Sequence, residues 1–461
     1  MKAKIQPHLK KFALLSLTGL LLRVYGWIYR LYLLRRFGAE PFGLLGMIFP
    51  FYRLLSLLST MGIPTALVRL IAIEKNRQNT AGILQMKRKV CSLVAVTASF
   101  LSLIVFLFSA PLGALFYNDP RTGPLLRTFA VALNLNSLCL VYRGFFHGLD
   151  RIVPLVLADL CETMGETVFI LLFLFSSPLS TFRVETGAQI LARGYLLGEA
   201  TCLMALFLYD RLRVRPQLKI TSTAPPSRRD LSSLLRSSFP LMAQQLILSC
   251  ARIGESILLP KLLTTAGLTA TQIAQQLGEY WEMATPLLFF PLILFSPIST
   301  LILPATARAS VQKNLNPYFR KLRWLLGWAF LYSLGVCLLL LKWAKPLSLL
   351  LYKSTAATGY LPFLLPALPF LVMNNILTPV VEGLGKQKFL LRVTLIMIFI
   401  KTGITTAFVP LAAFGLTGAA WGVTISQALL FCLLMKETLF TNLSNGKWFL
   451  RQAKFFSLHK P

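Results

Sequence analysis

Long apolar runs separated by short polar segments set the pattern of this chain. A helix that crosses the hydrocarbon needs about 20 mostly apolar residues. Runs of that kind fall near residues 12–34, 42–73, 90–117, 125–147, 152–176, 187–209, 237–260, 279–306, 324–351, 360–384, 389–410 and 415–436, which predicts twelve membrane-spanning helices. The second and eighth runs are longer than one span. They carry Pro50 and Pro64, and Pro286, Pro291, Pro297 and Pro304, so bent or tilted helices are expected there. Strands of a membrane barrel would be about 10 residues long and would alternate apolar with polar positions. These runs do neither, so the expected class is an all-α, polytopic membrane protein.

The polar segments give the orientation. With the N-terminus inside, 31 of the 47 Lys and Arg fall in inside segments, 7 in outside segments and 9 within spans. Positive charge collects on the cytoplasmic side, so a cell-membrane protein with both termini cytoplasmic is expected. Lys2, Lys4, Lys10 and Lys11 precede the apolar stretch Phe12–Leu22, as in a secretory signal. No small-residue cleavage site follows, and a retained first helix is expected.

Composition narrows the function. The 461 residues are 56% hydrophobic and 14% charged, with a net charge of +31. A soluble chain carries about 25% charged residues. The basic residues lie between the apolar runs, so they do not mark nucleic acid as a partner. Seven cysteines stand singly within apolar runs and read as small core residues, not as a disulfide frame or a zinc site. There are three histidines, and no HExxH, GxSxG or P-loop pattern. No enzyme activity, cofactor or metal is expected.

The chain divides in two. The longest polar stretch, Asp210–Arg236, has six runs on either side and contains Pro225-Pro226-Ser227. The expected organisation is an N-terminal six-helix lobe (1–209), a cytoplasmic linker (210–236), a C-terminal six-helix lobe (237–436) and a cytoplasmic tail (437–461). Internal matches speak for a parallel duplication. Met47 and Pro50 correspond to Met283 and Pro286, Gly148-Leu149 to Gly383-Leu384, and Gly194 and Gly198 to Gly422 and Ser426. Parallel repeats place the axis along the membrane normal and the substrate path between the halves.

Ionisable residues within spans default to function. Arg23, Arg30, Arg53 and Arg252 are the basic candidates, because several guanidinium groups facing one cavity suit a multiply charged anion. Glu162 and Glu166, four apart on one helix face, together with Glu255 and Lys401, are candidates for ion coupling or charge pairing. Asp159 stands near the start of its helix, where a carboxylate is favourable. Lys342 and Lys345 sit near a span end and are expected to snorkel.

Several segments resemble the polysaccharide flippases. Arg35-Arg36-Phe37-Gly38-Ala39-Glu40-Pro41-Phe42-Gly43-Leu44 resembles the signature after their first helix. Thr60-Met61-Gly62-Ile63-Pro64-Thr65-Ala66, Tyr142–Gly148 and Ile257–Leu263 are similar to three further stretches. The resemblance covers almost the whole chain and is strongest to the stage V sporulation protein B-like branch. That branch belongs to the multidrug/oligosaccharidyl-lipid/polysaccharide exporter (MOP) superfamily, with the lipid II flippases and the MATE antiporters. It implies a two-lobe, MATE-like transporter that moves undecaprenyl-pyrophosphate-linked saccharide, a peptidoglycan precursor or a polysaccharide repeat unit, by alternating access. By position, Arg23 and Arg53 match the lipid II flippase pattern for pyrophosphate binding, and Arg30 the sporulation branch. His147, Glu166 and Glu255 depart from the family's usual residues. Implied partners are the bilayer, the lipid-linked saccharide and wall or polysaccharide synthesis enzymes.

Two other classes compete. A cation-coupled multidrug exporter of the same fold should have a carboxylate-rich, arginine-poor cavity, which is the opposite of what the spans carry. A membrane-embedded polymerase or ligase would need a long outer loop with His, Arg or carboxylates. The longest outer loop, about Lys261–Gly278, has no His, Asp or Glu.

Overall fold

The computed structural model describes residues 21–22, 24–176, 184–216, 228–311, 315–411 and 413–443. The expected tails, the centre of the expected linker (217–227) and the start of the first expected span lie outside the described residues. The described residues form helices and turns, with no strand among them. The helices are α1 (21–37), α2 (Glu40–Thr60), α3 (Ile63–Asn76), α4 (Thr80–Leu107), α5 (Ser109–Tyr117), α6 (Thr122–Gly148), α7 (Val153–Ser176), α8 (Val184–Tyr209) and α9 (Arg228–Thr265). After them come α10 (Ala270–Gly278), α11 (Thr285–Phe289), α12 (Ser296–Val311), α13 (Leu315–Tyr352), α14 (Leu361–Leu364), α15 (Leu368–Gly383), α16 (Gln387–Phe408) and α17 (Leu416–Leu443).

Eight stretches among the described residues are long and apolar enough to cross a membrane. The other four expected spans fall short for visible reasons. The first is only partly described, and the seventh carries Arg252 and Glu255. α7 carries Asp159, Glu162 and Glu166. The eighth run is broken into short pieces: a wide-turn segment Glu279–Ala284, α11, a tight segment Phe290–Leu294 and α12. Each proline in it removes an N–H donor and crowds the preceding turn. The second run also breaks. Met61 (φ 49°) and Gly62 (φ 66°) both take the left-handed conformation, and Pro64 opens α3. That conformation is free for glycine and uncommon for methionine, so the corner is held by the packing around it.

α4 starts ten residues earlier than the expected third span. The side chain of Asn79 caps it, accepting a hydrogen bond from the Gly82 amide at 2.9 Å. Lys87, Arg88 and Lys89, expected in a loop, are therefore helical.

The chain packs as two compact units. The first runs to Lys261 and takes in Thr269–Gly278; the second comprises Leu262–Leu268 and Glu279 onward. The core of the first centres on Leu67, Ile71, Val90, Phe145, Phe146 and Cys202. Large apolar residues such as Phe100, Phe175, Trp324 and Phe399 are exposed, as a lipid-facing exterior requires.

Glycine contacts repeat between the units at an offset of 235. A Cβ on Gly148 would meet Ile71 Cβ at 2.7 Å and Val68 O at 3.0 Å, and one on Gly383 would meet Thr306 Cβ at 2.7 Å and Leu303 O at 2.9 Å. The same helix crossing is thus built twice. In the first unit α2 and α10 also approach closely through Ala39/Gly43 and Ala274/Gly278. A Cβ on Gly43 would sit 1.8 Å from Ala274 O, and one on Gly278 1.9 Å from Ala39 O. Such small-residue seams let membrane helices touch along their backbones.

Candidate functional site

The first unit holds a polar network among α2, α6, α7 and α8. Arg143, in the last two turns of α6, pairs with Asp159 and with Glu162 (2.7 Å) on α7, and its guanidinium lies 3.4 Å from Cys202 Sγ. Two turns earlier along α6 the chain of contacts continues. Asn136 donates to Glu199 Oε1 (2.7 Å) and accepts from Ser56 Oγ (2.7 Å). Tyr195 OH also donates to Glu199 Oε1, at 2.9 Å. Glu199 is 2% exposed, so these two donors replace the water its carboxylate loses. Gly198 brings α8 against α7: a Cβ there would lie 2.9 Å from Glu162 O.

The predicted residues distribute as follows. Arg23 lies outside the described residues. Arg30 is exposed on α1, with its guanidinium 5.8 Å from the Phe42 ring centre, and it acts electrostatically on the half-buried Glu166. The residue one turn before it, Gly26, has open space around it. Arg53 is exposed in the middle of α2, and Arg252 is exposed on α9. Glu255 is half-buried one turn beyond Arg252, and Lys401 is half-buried on α16 in the second unit. The structure therefore joins Glu162 with Arg143. Arg53 and Arg252 remain exposed arginines within apolar helices.

Sequence reasoning missed Arg143, which it counted with a cytoplasmic loop, and it gave Asp159 a helix-end role instead of an ion pair. The spacing held a signal: Asn136, Cys139 and Arg143 fall on one face of α6 at steps of three and four. Cys139, Cys202 and Glu199 place their ligand-type atoms within 4.8 Å of one another. The Arg143 cation beside Cys202 and the two donors already on Glu199 make this a poor cation cage. Cys139, Cys202 and Cys337 are buried, whereas Cys250 and Cys432 are exposed on apolar helices.

An all-α chain with several membrane-crossing helices and charges held inside one helical unit is a multi-pass membrane protein of transporter build. A family described as polysaccharide biosynthesis protein matches residues 8–310, and the chain belongs to that family. Stage V sporulation protein B of Bacillus subtilis is 24% identical over 438 residues, covering 93% of this chain and 83% of the relative. An inward-facing multidrug resistance MATE family transporter of the MOP superfamily superposes with a TM-score of 0.71 at 16% identity, over 92% of this chain and 94% of that one. The lipid II flippase MurJ, in an inward closed conformation, superposes with a TM-score of 0.67 at 15% identity, over 92% and 87% of the two chains. These likenesses establish the fold.

Proposed function

We propose that this protein is a flippase that carries a polyprenyl-pyrophosphate-linked saccharide across the cell membrane, with Arg23, Arg30, Arg53 and Arg252 holding the pyrophosphate. The observation that carries the reading is the exposure of Arg30, Arg53 and Arg252 within apolar helices. A guanidinium facing hydrocarbon is costly, so such residues face water. A water-filled, cationic space suits pyrophosphate, whose oxygens arginine binds in pairs while keeping its own charge. The polyprenyl tail stays in lipid. The saccharide avoids hydrocarbon, where each polar group stripped of water would cost about 2–7 kcal/mol. Membership of a polysaccharide biosynthesis family agrees with that cargo, and nothing in this mechanism needs a catalytic group.

The test is a flipping assay with lipid-linked oligosaccharide in reconstituted vesicles. Arg30→Ala, Arg53→Ala or Arg252→Ala should each slow flipping about 10-fold or more, the worth of a lost charge-assisted hydrogen bond. Arg→Lys should restore only part, because ammonium binds one oxygen at a time. Full activity of the Arg53→Ala/Arg252→Ala double variant would overturn the anion reading. A cation-coupled exporter of the same fold is the second reading, favoured by the buried Glu199. It predicts that Glu199→Gln stops transport while the arginine variants do not.

The proposal includes cytoplasmic termini, which the distribution of Lys and Arg along the sequence supports. A reporter fused after Arg228 should be cytoplasmic, and one inserted in Thr264–Thr271 should be outside. The reverse pattern would invert the direction of transport.

A further inference from the structure

A groove of about 910 Å³ lies between α4, α6 and α8, wholly within the first unit and built from other residues than the exposed arginines above. Lys87, Arg88 and Arg215 line it together with apolar side chains such as Leu138, Leu203 and Phe207. Its lining changes character along α4. Lys87 and Arg88 give way to Cys91 and Ser92 and then to Ala95. Eight residues of helix separate Lys87 from Ala95, about 12 Å at 1.5 Å per residue. The groove is therefore cationic at one end and apolar beyond it.

Among the described residues, the charge at the cationic end is not balanced. Lys87 is buried, pairs with Asp210, and lies 4.3 Å from the Tyr142 ring centre and 4.5 Å from that of Phe145. Arg215 Nε donates to the same Asp210 carboxylate at 3.1 Å. Asp210 is fully buried. One carboxylate thus serves two cations, and Arg88, exposed one residue after Lys87, adds a third. Two positive charges remain in excess beside a surface apolar enough to meet lipid. Phe207 and Met204 on its flank are 40% and 59% exposed, within a stretch long and apolar enough to cross a membrane.

We propose that this groove holds an anionic phospholipid, with its phosphodiester at Arg88 and Arg215 and an acyl chain along α4 and α8. The charge complementarity selects the headgroup. A phosphodiester with no cationic partner neutralises part of the excess, and guanidinium groups bind its oxygens in pairs. A zwitterionic headgroup would bring its own ammonium beside Lys87. Basic pockets between membrane helices recognise anionic headgroups in this way. Only the leaflet, cytoplasmic, rests on the orientation proposed above. The lipid is a resident ligand, not the cargo.

The experiment is native mass spectrometry of the full chain released from nanodiscs containing equal phosphatidylglycerol and phosphatidylcholine. A basic residue near the headgroup is worth about fivefold, so the wild-type chain should retain phosphatidylglycerol about 25-fold over phosphatidylcholine through Arg88 and Arg215. Arg88→Gln/Arg215→Gln should remove most of that preference. It leaves the Lys87–Asp210 pair in place, and an unchanged melting temperature checks the fold. Lys388→Gln/Arg392→Gln, which removes an exposed basic pair on α16, should keep the preference. Equal retention in the wild type and the Arg88→Gln/Arg215→Gln variant would overturn the proposal. So would loss in the α16 variant, which would show diffuse surface charge, or preferential retention of added undecaprenyl phosphate, which would give the groove to the transported lipid. A chain that loses the phospholipid but still flips separates this site from the transport reading.

Discussion

The two units share a helix crossing and differ in the chemistry they enclose. Gly148 on Ile71 and Gly383 on Thr306 are the same contact, displaced by 235 residues. Around that shared crossing the first unit places Arg143 between Asp159 and Glu162, and Glu199 between Asn136 and Tyr195. Among the described residues, the second unit also joins its helices through neutral groups: Asn374 donates to Gln427, Ser299 to Asn375, and Thr306 bonds with Tyr318. Its Lys386–Glu437 ion pair joins the N-cap of α16 to the last turns of α17, and each cation and carboxylate in it is less exposed than those of the Arg143 pairs. Backbone fit repeats because close helix approach depends on small residues at set intervals. Side-chain charge need not repeat, because any network whose donors and acceptors are matched satisfies the interior. In the first unit one cation, Arg143, thus meets two carboxylates.

The largest effect expected from this contrast is at Arg143. Arg143→Ala leaves Asp159 and Glu162 facing each other without their cation. Removing one partner of a buried pair costs about 3–5 kcal/mol, and the partial exposure here lowers that to about 2–3 kcal/mol. Lys386→Ala strands one carboxylate instead of two and should cost less, about 1–2 kcal/mol. Melting temperatures of the two purified variants check the difference, and equal losses would erase the distinction between the units.

Next in size is the shared crossing. Gly148→Ala and Gly383→Ala each force a methyl group to within 2.7 Å of a neighbouring Cβ. Both should lose about 1–3 kcal/mol, and by similar amounts. Gly254→Ala, with nothing within 4 Å, is the matched control and should be neutral or better. A large loss at Gly148 with none at Gly383 would mean that the repeat is one of sequence alone.

The smallest effect is expected at Lys342 and Lys345, both exposed near the end of α13. If they snorkel, Lys342→Ala and Lys345→Ala should each shift stability by less than about 0.5 kcal/mol and leave flipping unchanged. A flipping defect there would give α13 a charged role.

Much of the helical plan was legible in the residues. α6, α7, α8, α15, α16 and α17 fall on expected spans, because a 20-residue apolar run in a membrane has few alternatives to a helix. The prolines of the eighth run announced its bends. Three features were not legible. α4 reaches back through Lys87–Lys89, since a cap at Asn79 outweighs the local charge. The corner at Met61-Gly62 looked continuous, since apolar character does not report a φ reversal. Arg143 looked like a loop charge, because its two carboxylates lie 16 and 19 residues away and only packing brings them to it.

The sequence by itself determined that the chain is an all-α, multi-pass membrane protein, rich in basic residues, with short internal matches at a spacing near 235. Those properties follow from local hydrophobic length, charge distribution and residue spacing, each of which acts within a few turns of chain. The tertiary structure decided which charges are spent on each other and which remain exposed. Glu162 and Asp159 are absorbed by Arg143, Glu199 by Asn136 and Tyr195, and Asp210 by Lys87 and Arg215, whereas Arg53 and Arg252 stay exposed on α2 and α9. Pairing depends on distances of a few ångströms between helices far apart in the chain, because unscreened electrostatics in a low-dielectric interior rise steeply with approach. Residue order does not encode that distance until the helices have packed.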